Sequence, residues 1–297
     1  IVLASGGLNG KTGSVVLWNV KTGKRLTQLS PDFDTTLTAD ISSDRHYLAT
    51  GSSDKLVKIF SLASGDLIHS IKQHSEWVTN VSISPDGVLV ASGDRNGHIY
   101  VWEVESGQKL YTMMHHKKDI TALSWRADSN LLAASSEDGE VSIWNIINGR
   151  KVKNFKAHTN GTTDVFYTNK GHLVTCGRDQ QAKVYDTKYK QVKTLKTTSK
   201  LPLKIIGTTD AKNVLYSDLQ GKINKWNLQS GKIIHTLTAN PPSLSESLLQ
   251  LQIDVEKLHK SVNQSKEKLI ANNQKIDAYN ELKKQPNLIK QEIIKLK

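Results

Sequence analysis

The stretch His74–Met113, HSEWVTNVSISPDGVLVASGDRNGHIYVWEVESGQKLYTM, decides how the chain is read. Apolar residues alternate in three runs, Val78/Val81/Ile83, Val88–Ala91 and Ile99/Val101/Val104, with a weaker fourth over Lys109–Tyr111. Pro85-Asp86-Gly87, Asn96-Gly97 and Ser106-Gly107 separate the runs. Successive strand side chains point to opposite faces, so this alternation, punctuated by turn residues, predicts a four-stranded antiparallel meander. Such a sheet alone exposes two faces and two edges and needs neighbours.

The neighbours stand on either side. The aromatic that closes the third strand recurs as Trp18, Phe60, Trp102, Trp144, Tyr185 and Trp226, at spacings of 42, 42, 42, 41 and 41. Five residues after each, Tyr185 excepted, comes a glycine: Gly23, Gly65, Gly107, Gly149 and Gly231. Thr50, Ser92 and Thr175 stand ten residues before their aromatics, and His74, His116 and His158 stand 27 or 28 before. A period just above forty with four strands per unit is the signature of a β-propeller. The chain resembles the WD-repeat family, with the hallmark Trp-Asp pair drifted to Trp18-Asn19, Trp102-Glu103, Trp144-Asn145 and Trp226-Asn227, and kept nearest as Tyr185-Asp186. The fold class read is all-β: a propeller over 1–240 with six blades visible, the first incomplete, then a long helix over 241–297. Full blades are expected near 35–71, 77–112, 119–155, 163–196 and 202–238. Because Ile1 starts in mid-strand, the sequence reads as a fragment of a ring of roughly seven blades.

The recurring polar residues have a physical link. A histidine can join a Ser or Thr hydroxyl to a turn carboxylate while the indole N–H caps the set, and buried polar groups need such partners. His74, Ser92, Asn96 and Trp102 fit, with Asn in place of Asp; His158, Thr175, Asp179 and Tyr185 fit, with a phenol in place of indole. His116, Asp138 and Trp144 lack the hydroxyl, because that position is Ala134. All are read as structural.

Composition narrows the function. The net charge is +12, of which the last 55 residues contribute +3 and the propeller +9. The lysines are scattered, with no Arg/Lys patch interleaved with aromatics, so nucleic acid is not an expected partner. No run of 18 apolar residues occurs, so no membrane span is expected. Cys176 is the single cysteine, which leaves no Cys-x-x-Cys metal or haem site. The loop Gly6–Gly13 looks like a phosphate-binding loop, but Ser5 stands where the motif needs Gly or Ala, and a strand follows where a helix N-terminus is needed.

After Asn240-Pro241-Pro242 the pattern changes. Ser243 and Glu246 form a capping box, and apolar residues then fall at steps of four and three: Leu248, Leu251, Val255, Leu258 and Val262. The register continues through Ser265, Leu269, Asn272, Ile276 and Tyr279 until Pro286. Five heptads predict a coiled coil, paired with a second copy or with a returning helix. Leu288–Leu296 begins another amphipathic piece.

A narrower resemblance lies at the propeller's end. Leu173–Asp179, Leu201-Pro202-Leu203 and Thr236–Leu244 look like the closing blades of bacterial envelope proteins that combine a c-type cytochrome domain, a WD-repeat propeller and a coiled coil. That resemblance implies a docking module of a larger redox protein in the periplasm or cell envelope. No Cys-x-x-Cys-His occurs in this chain.

The reading is a non-enzymatic scaffold with protein partners and no cofactor or metal. In the WD-repeat family the usual docking face carries the loops between blades and the turns between second and third strands. Trp77, Arg95, Lys118, Asp119, Glu137 and Arg178 are the candidates there, and an exposed Trp77 would serve as an anchor. The alternative is an enzyme with a metal site in the propeller channel, which needs carboxylates or histidines collected there. No Gly-x-Ser-x-Gly or His-Glu-x-x-His occurs, and the adjacent pair His115-His116 is expected to point apart.

Overall fold

A computed structural model describes residues 2–6, 14–29, 35–196, 201–238, 244–284 and 294. Two compact units divide the chain, Ile1–Ala239 and Asn240–Lys297. The first unit opens with a three-stranded sheet of β1 (Val2–Gly6), β2 (Ser14–Trp18) and β3 (Arg25–Leu29). Five four-stranded meanders follow. Blade two is β4 (Thr36–Ile41), β5 (Tyr47–Ser52), β6 (Leu56–Ser61) and β7 (Leu67–Lys72). Blade three is β8 (Val78–Ile83), β9 (Leu89–Asp94), β10 (His98–Glu103) and β11 (Lys109–Met114). Blade four is β12 (Ile120–Trp125), β13 (Leu131–Ser136), β14 (Glu140–Asn145) and β15 (Arg150–Lys156). Blade five is β16 (Thr162–Tyr167), β17 (Leu173–Gly177), β18 (Gln181–Tyr185) and β19 (Gln191–Lys196). Blade six is β20 (Pro202–Gly207), β21 (Asn213–Asp218), β22 (Lys222–Asn227) and β23 (Ile233–Thr238). These are the blades of a β-propeller.

The core lies between blades rather than within them. Ala49, Val57 and Ile59 of blade two close over Val78, Val81, Val90 and Trp102 of blade three. The same layer recurs from blade three to four, four to five and five to six. The sheets of blades two to five are therefore covered on both faces by their neighbours, which is what a repeat too small to bury its own apolar face requires.

Two sets of polar contacts stitch the layers. The first strands are not hydrogen-bonded to one another as a sheet, so their edge groups need side-chain partners. Asp40 accepts from Ile83 N at 2.7 Å and Thr38 from Val81 N at 3.2 Å. Ser124 accepts from Tyr167 N at 2.9 Å, and Asp164 from Ile205 N at 2.7 Å. Thr121 donates to Thr162 O at 2.9 Å, and Thr163 to Pro202 O at 2.8 Å.

The second set runs round the outside. His69 donates to Glu105 O at 2.8 Å, Tyr111 to Ile147 O at 3.3 Å, Lys153 to Lys188 O at 3.2 Å and Lys193 to Leu228 O at 2.8 Å. These four occupy equivalent places on the fourth strands, and each reaches the next blade's last turn. At Gly107 and Gly149 the contact adds to the left-handed φ that all five glycines after the aromatics share. A Cβ on Gly149 would lie 2.5 Å from the Tyr111 ring, and φ there is +68°. Blade five has no glycine at this turn; Tyr189 itself adopts φ +60°, and its hydroxyl meets that of Tyr167 at 2.8 Å.

The second unit is described by α1 (Leu244–Lys283), 40 residues and so about 60 Å long at 1.5 Å per residue. Leu248, Leu251, Val255, Leu258 and Val262 are 48–64% exposed along it. No helix among the described residues is long and apolar enough to cross a membrane. The loop 7–13, the Asn240-Pro241-Pro242 segment, the capping Ser243 and Pro286 lie outside the described residues. Of the stretch 288–296, only Ile294 is described.

Candidate functional site

In blades three and four the buried networks start from an indole N–H, which sets their direction. In blade three, Trp102 Nε1 is 2.9 Å from Ser92 Oγ, His74 Nε2 is 2.7 Å from the same oxygen, and His74 Nδ1 is 2.9 Å from Asp94 Oδ2. The indole N–H can only donate. Ser92 accepts it, and with a neutral His74 it gives its own proton to Nε2, which leaves the Nδ1 proton for Asp94. Burial pushes the Asp94 carboxyl up, but the bonds from His74 and the His98 amide outweigh it and hold the group below its ordinary value.

Two expectations need correction here. Asn96 does not take the carboxylate's place: its Nδ2 donates to Ser75 Oγ at 3.2 Å, while Asp94, two residues earlier, meets the histidine. Asp94 closes β9 and meets the Nδ1 edge of the His74 ring, whereas Asn96 sits in the turn that follows. Nor does blade four lack a hydroxyl. His116 Nε2 lies 2.8 Å from Ser142 Oγ, which also accepts from Trp144 Nε1 at 2.9 Å, and His116 Nδ1 lies 3.0 Å from Asp138. Ser142 is the cross-strand partner of Ala134, so the hydroxyl comes from the facing strand.

Blade five places His158 between Asp179 at 2.7 Å and Thr175 at 2.8 Å, with the Tyr185 phenol bonded to Thr175. Burial pushes that phenol up to about 12. Blade six carries no such relay among the described residues: Asp218 Oδ2, Asn224 Nδ2 and Trp226 Nε1 are buried without a partner. Ser92, His74 and Asp94 have the order of a hydrolase triad. However, Ser92 is 0% exposed and its oxygen already holds the indole, so no substrate reaches it.

The six docking candidates fall at one end of the blades, where first strands begin and second strands end. Trp77 is 41% exposed, and the Arg95 guanidinium stacks 4.6 Å above its ring. Asp119 accepts from Thr79 Oγ1 at 2.8 Å, and its carbonyl accepts from Glu137 N at 3.0 Å. Burial raises the Asp119 carboxyl, Glu137 adds to the rise, and Arg95 opposes it. Glu137 forms an ion pair with Arg178 of blade five. Trp77, Arg95, Asp119, Glu137 and Arg178 thus make a belt across three blades, while Lys118 stands exposed beside it and gives only its carbonyl, to Ser136 Oγ at 3.0 Å.

Elsewhere, a cavity of about 520 Å³ is lined by residues of the five first strands, including Asp40, Ser82, Trp125, Asp164 and Lys204. It collects two carboxylates, but Asp40 accepts from Ile83 N and Asp164 from Ile205 N and Lys204 Nζ, and burial raises both carboxyls. His115 bonds Glu140 at 2.9 Å and Lys151 at 3.0 Å, apart from the partners of His116. No group of three or more metal-ligating side chains is assembled among the described residues.

The interblade cores, the repeating turn glycines and the Trp–Ser–His–Asp relay are the marks of a WD-type β-propeller. Within that class the chain belongs to the family described as the IFT122 first beta-propeller, whose family model matches residues 8–252. Among solved structures it is similar to one titled "Structure of U3-55K", with a TM-score of 0.64 and 23% identity over 70% of this chain and 67% of that chain. That likeness shows the fold. No curated protein matches. The narrower likeness to cytochrome-bearing envelope proteins receives no support from these matches. Propellers of this type typically serve as protein-interaction scaffolds.

Proposed function

We propose that this chain is a non-enzymatic scaffold whose belt face docks a protein partner, while α1 pairs as a coiled coil. The observation that carries the reading is Trp77: a large aromatic, 41% exposed, stacked beneath Arg95 and continuous with charged groups of both signs on two further blades. Tryptophan and arginine are the residue types that anchor interfaces, and a mixed-charge surround sets register and excludes wrong partners. The Trp77–Arg95 stack holds both side chains ready, so little rotamer freedom is lost on docking.

The test is partner capture with single-site variants of the full chain. Trp77→Ala and Arg178→Ala should each weaken binding of a captured protein by roughly tenfold or more. Lys170→Ala, on a turn at the blades' other end, should not change it. Equal binding by all three variants would place the interface elsewhere.

A further inference from the structure

We propose that α1 pairs with α1 of a second copy of this chain, parallel and in register, as a two-stranded coiled coil. This rests on the coiled-coil reading of the helix and adds the partner and its direction. The seam alternates Leu248, Val255, Val262, Leu269 and Ile276 at one core position with Leu251, Leu258, Ser265, Asn272 and Tyr279 at the other. Three of the first five are β-branched, and the second set opens on leucines. β-Branched residues at the first position with leucine at the second favour two parallel strands.

The polar seam residues settle the direction. Ser265 already donates to Ser261 O at 2.9 Å within its own helix, so it tolerates either arrangement. Among the described residues the Asn272 amide has no bond within α1, so a buried Asn272 needs a partner from outside. In a parallel in-register pair the second core position packs on itself, and Asn272 meets Asn272 of the second copy, amide to amide. In a fully overlapped antiparallel pair the two core positions interdigitate. Asn272 then faces Val255 and Ser265 faces Val262, and each mismatch occurs twice. A leucine-seamed helix from another protein leaves Asn272 equally unpaired.

Flanking charges do not overturn this. The parallel register sets Asp254 beside His259, Lys268 beside Asn273 and Lys275 beside Asn280 of the second copy, with no like charges opposed. The antiparallel register would bring Asp254 near Lys275. That exposed ion pair is worth less than the desolvation of an unpaired buried amide.

The experiment uses the full chain. Sedimentation at high micromolar concentration should give twice the chain mass. Leu251→Cys and, separately, Leu258→Cys should each form a same-site disulfide-linked dimer under mild oxidation. The wild type should not, because Cys176 is buried. A 1:1 mixture of Leu251→Cys and Ile276→Cys chains should give no mixed-site product. A wild-type monomer overturns the coiled-coil reading itself. A dimer that yields the Leu251–Ile276 mixed product, or neither same-site disulfide, leaves pairing intact and overturns the parallel second-copy geometry.

Discussion

Ala134 and Ser142 lie directly opposite each other on β13 and β14, and the hydroxyl that His116 requires is on the second of them. In blade three the equivalent pair is Ser92 and Tyr100, with the hydroxyl on the first. Cross-strand partners share a face of the sheet, so either can reach the same imidazole nitrogen.

The hydroxyl should therefore be transferable. Ser142→Ala leaves His116 Nε2 and Trp144 Nε1 unpaired and is expected to cost about 1–3 kcal/mol in urea denaturation. Adding Ala134→Ser to that variant should recover at least half of the loss. No recovery would mean that the two positions are not equivalent donors.

One substitution should have unequal effects in two blades. Asp94→Asn replaces an oxygen that accepts from His74 with an amide and should cost about 1–3 kcal/mol. Asp218→Asn should stay within about 0.5 kcal/mol, because Oδ1 keeps the Gln220 and Lys222 amides and Oδ2 has no partner among the described residues. Paired thermal melts decide it; equal losses would defeat the assignment.

His158 carries a pH signature. Burial holds its pKa below the ordinary 6.5, outweighing the pull of Asp179. The folded state thus binds its proton less readily than the unfolded state does. Its contribution is full above the unfolded value and is lost as pH falls through the lowered one. The stability advantage of wild type over His158→Gln should shrink from pH 7.5 toward pH 5. A difference that stays constant or grows in guanidinium titrations would count against a neutral buried imidazole.

Gly149 and Tyr111 should be coupled. Gly149→Ala carries both a left-handed φ and a ring clash and should cost about 1–3 kcal/mol. Tyr111→Ala removes the clash but not the backbone strain, so the double variant should be less destabilised than the sum of the singles. Strict additivity in a double-mutant cycle would show that the ring is not what requires the glycine.

The repeat was legible because its aromatics and glycines recur in linear sequence, and the strand alternation does the same. The partners in each relay were only half legible. Asp179 was readable because it follows β17 by two residues; in blade three the acid stands at the strand's end instead, and spacing alone selected Asn96. Ser142 was hidden because cross-strand pairing is a matter of register, not sequence distance. The outer contacts of His69, Tyr111, Lys153 and Lys193 recur at spacings of 42, 42 and 40, but three different residue types make them. Only the geometry reveals the shared carbonyl target. On the belt, residue positions were readable from the turns, while the Arg95–Trp77 stack and the Glu137–Arg178 pair depend on how neighbouring blades stand together.

The side-chain contacts between blades have a direction in time. Thr38, Asp40, Ser124 and Asp164 hold backbone amides of the blade that follows, and His69, Tyr111, Lys153 and Lys193 hold its carbonyls. Chains are made from the N-terminus, and domains begin to fold during synthesis. Each completed sheet therefore offers the next an arranged set of acceptors and donors before that strand has left the ribosome. A newly emerging first strand meets a template rather than open water, and its bare edge is covered as it arrives.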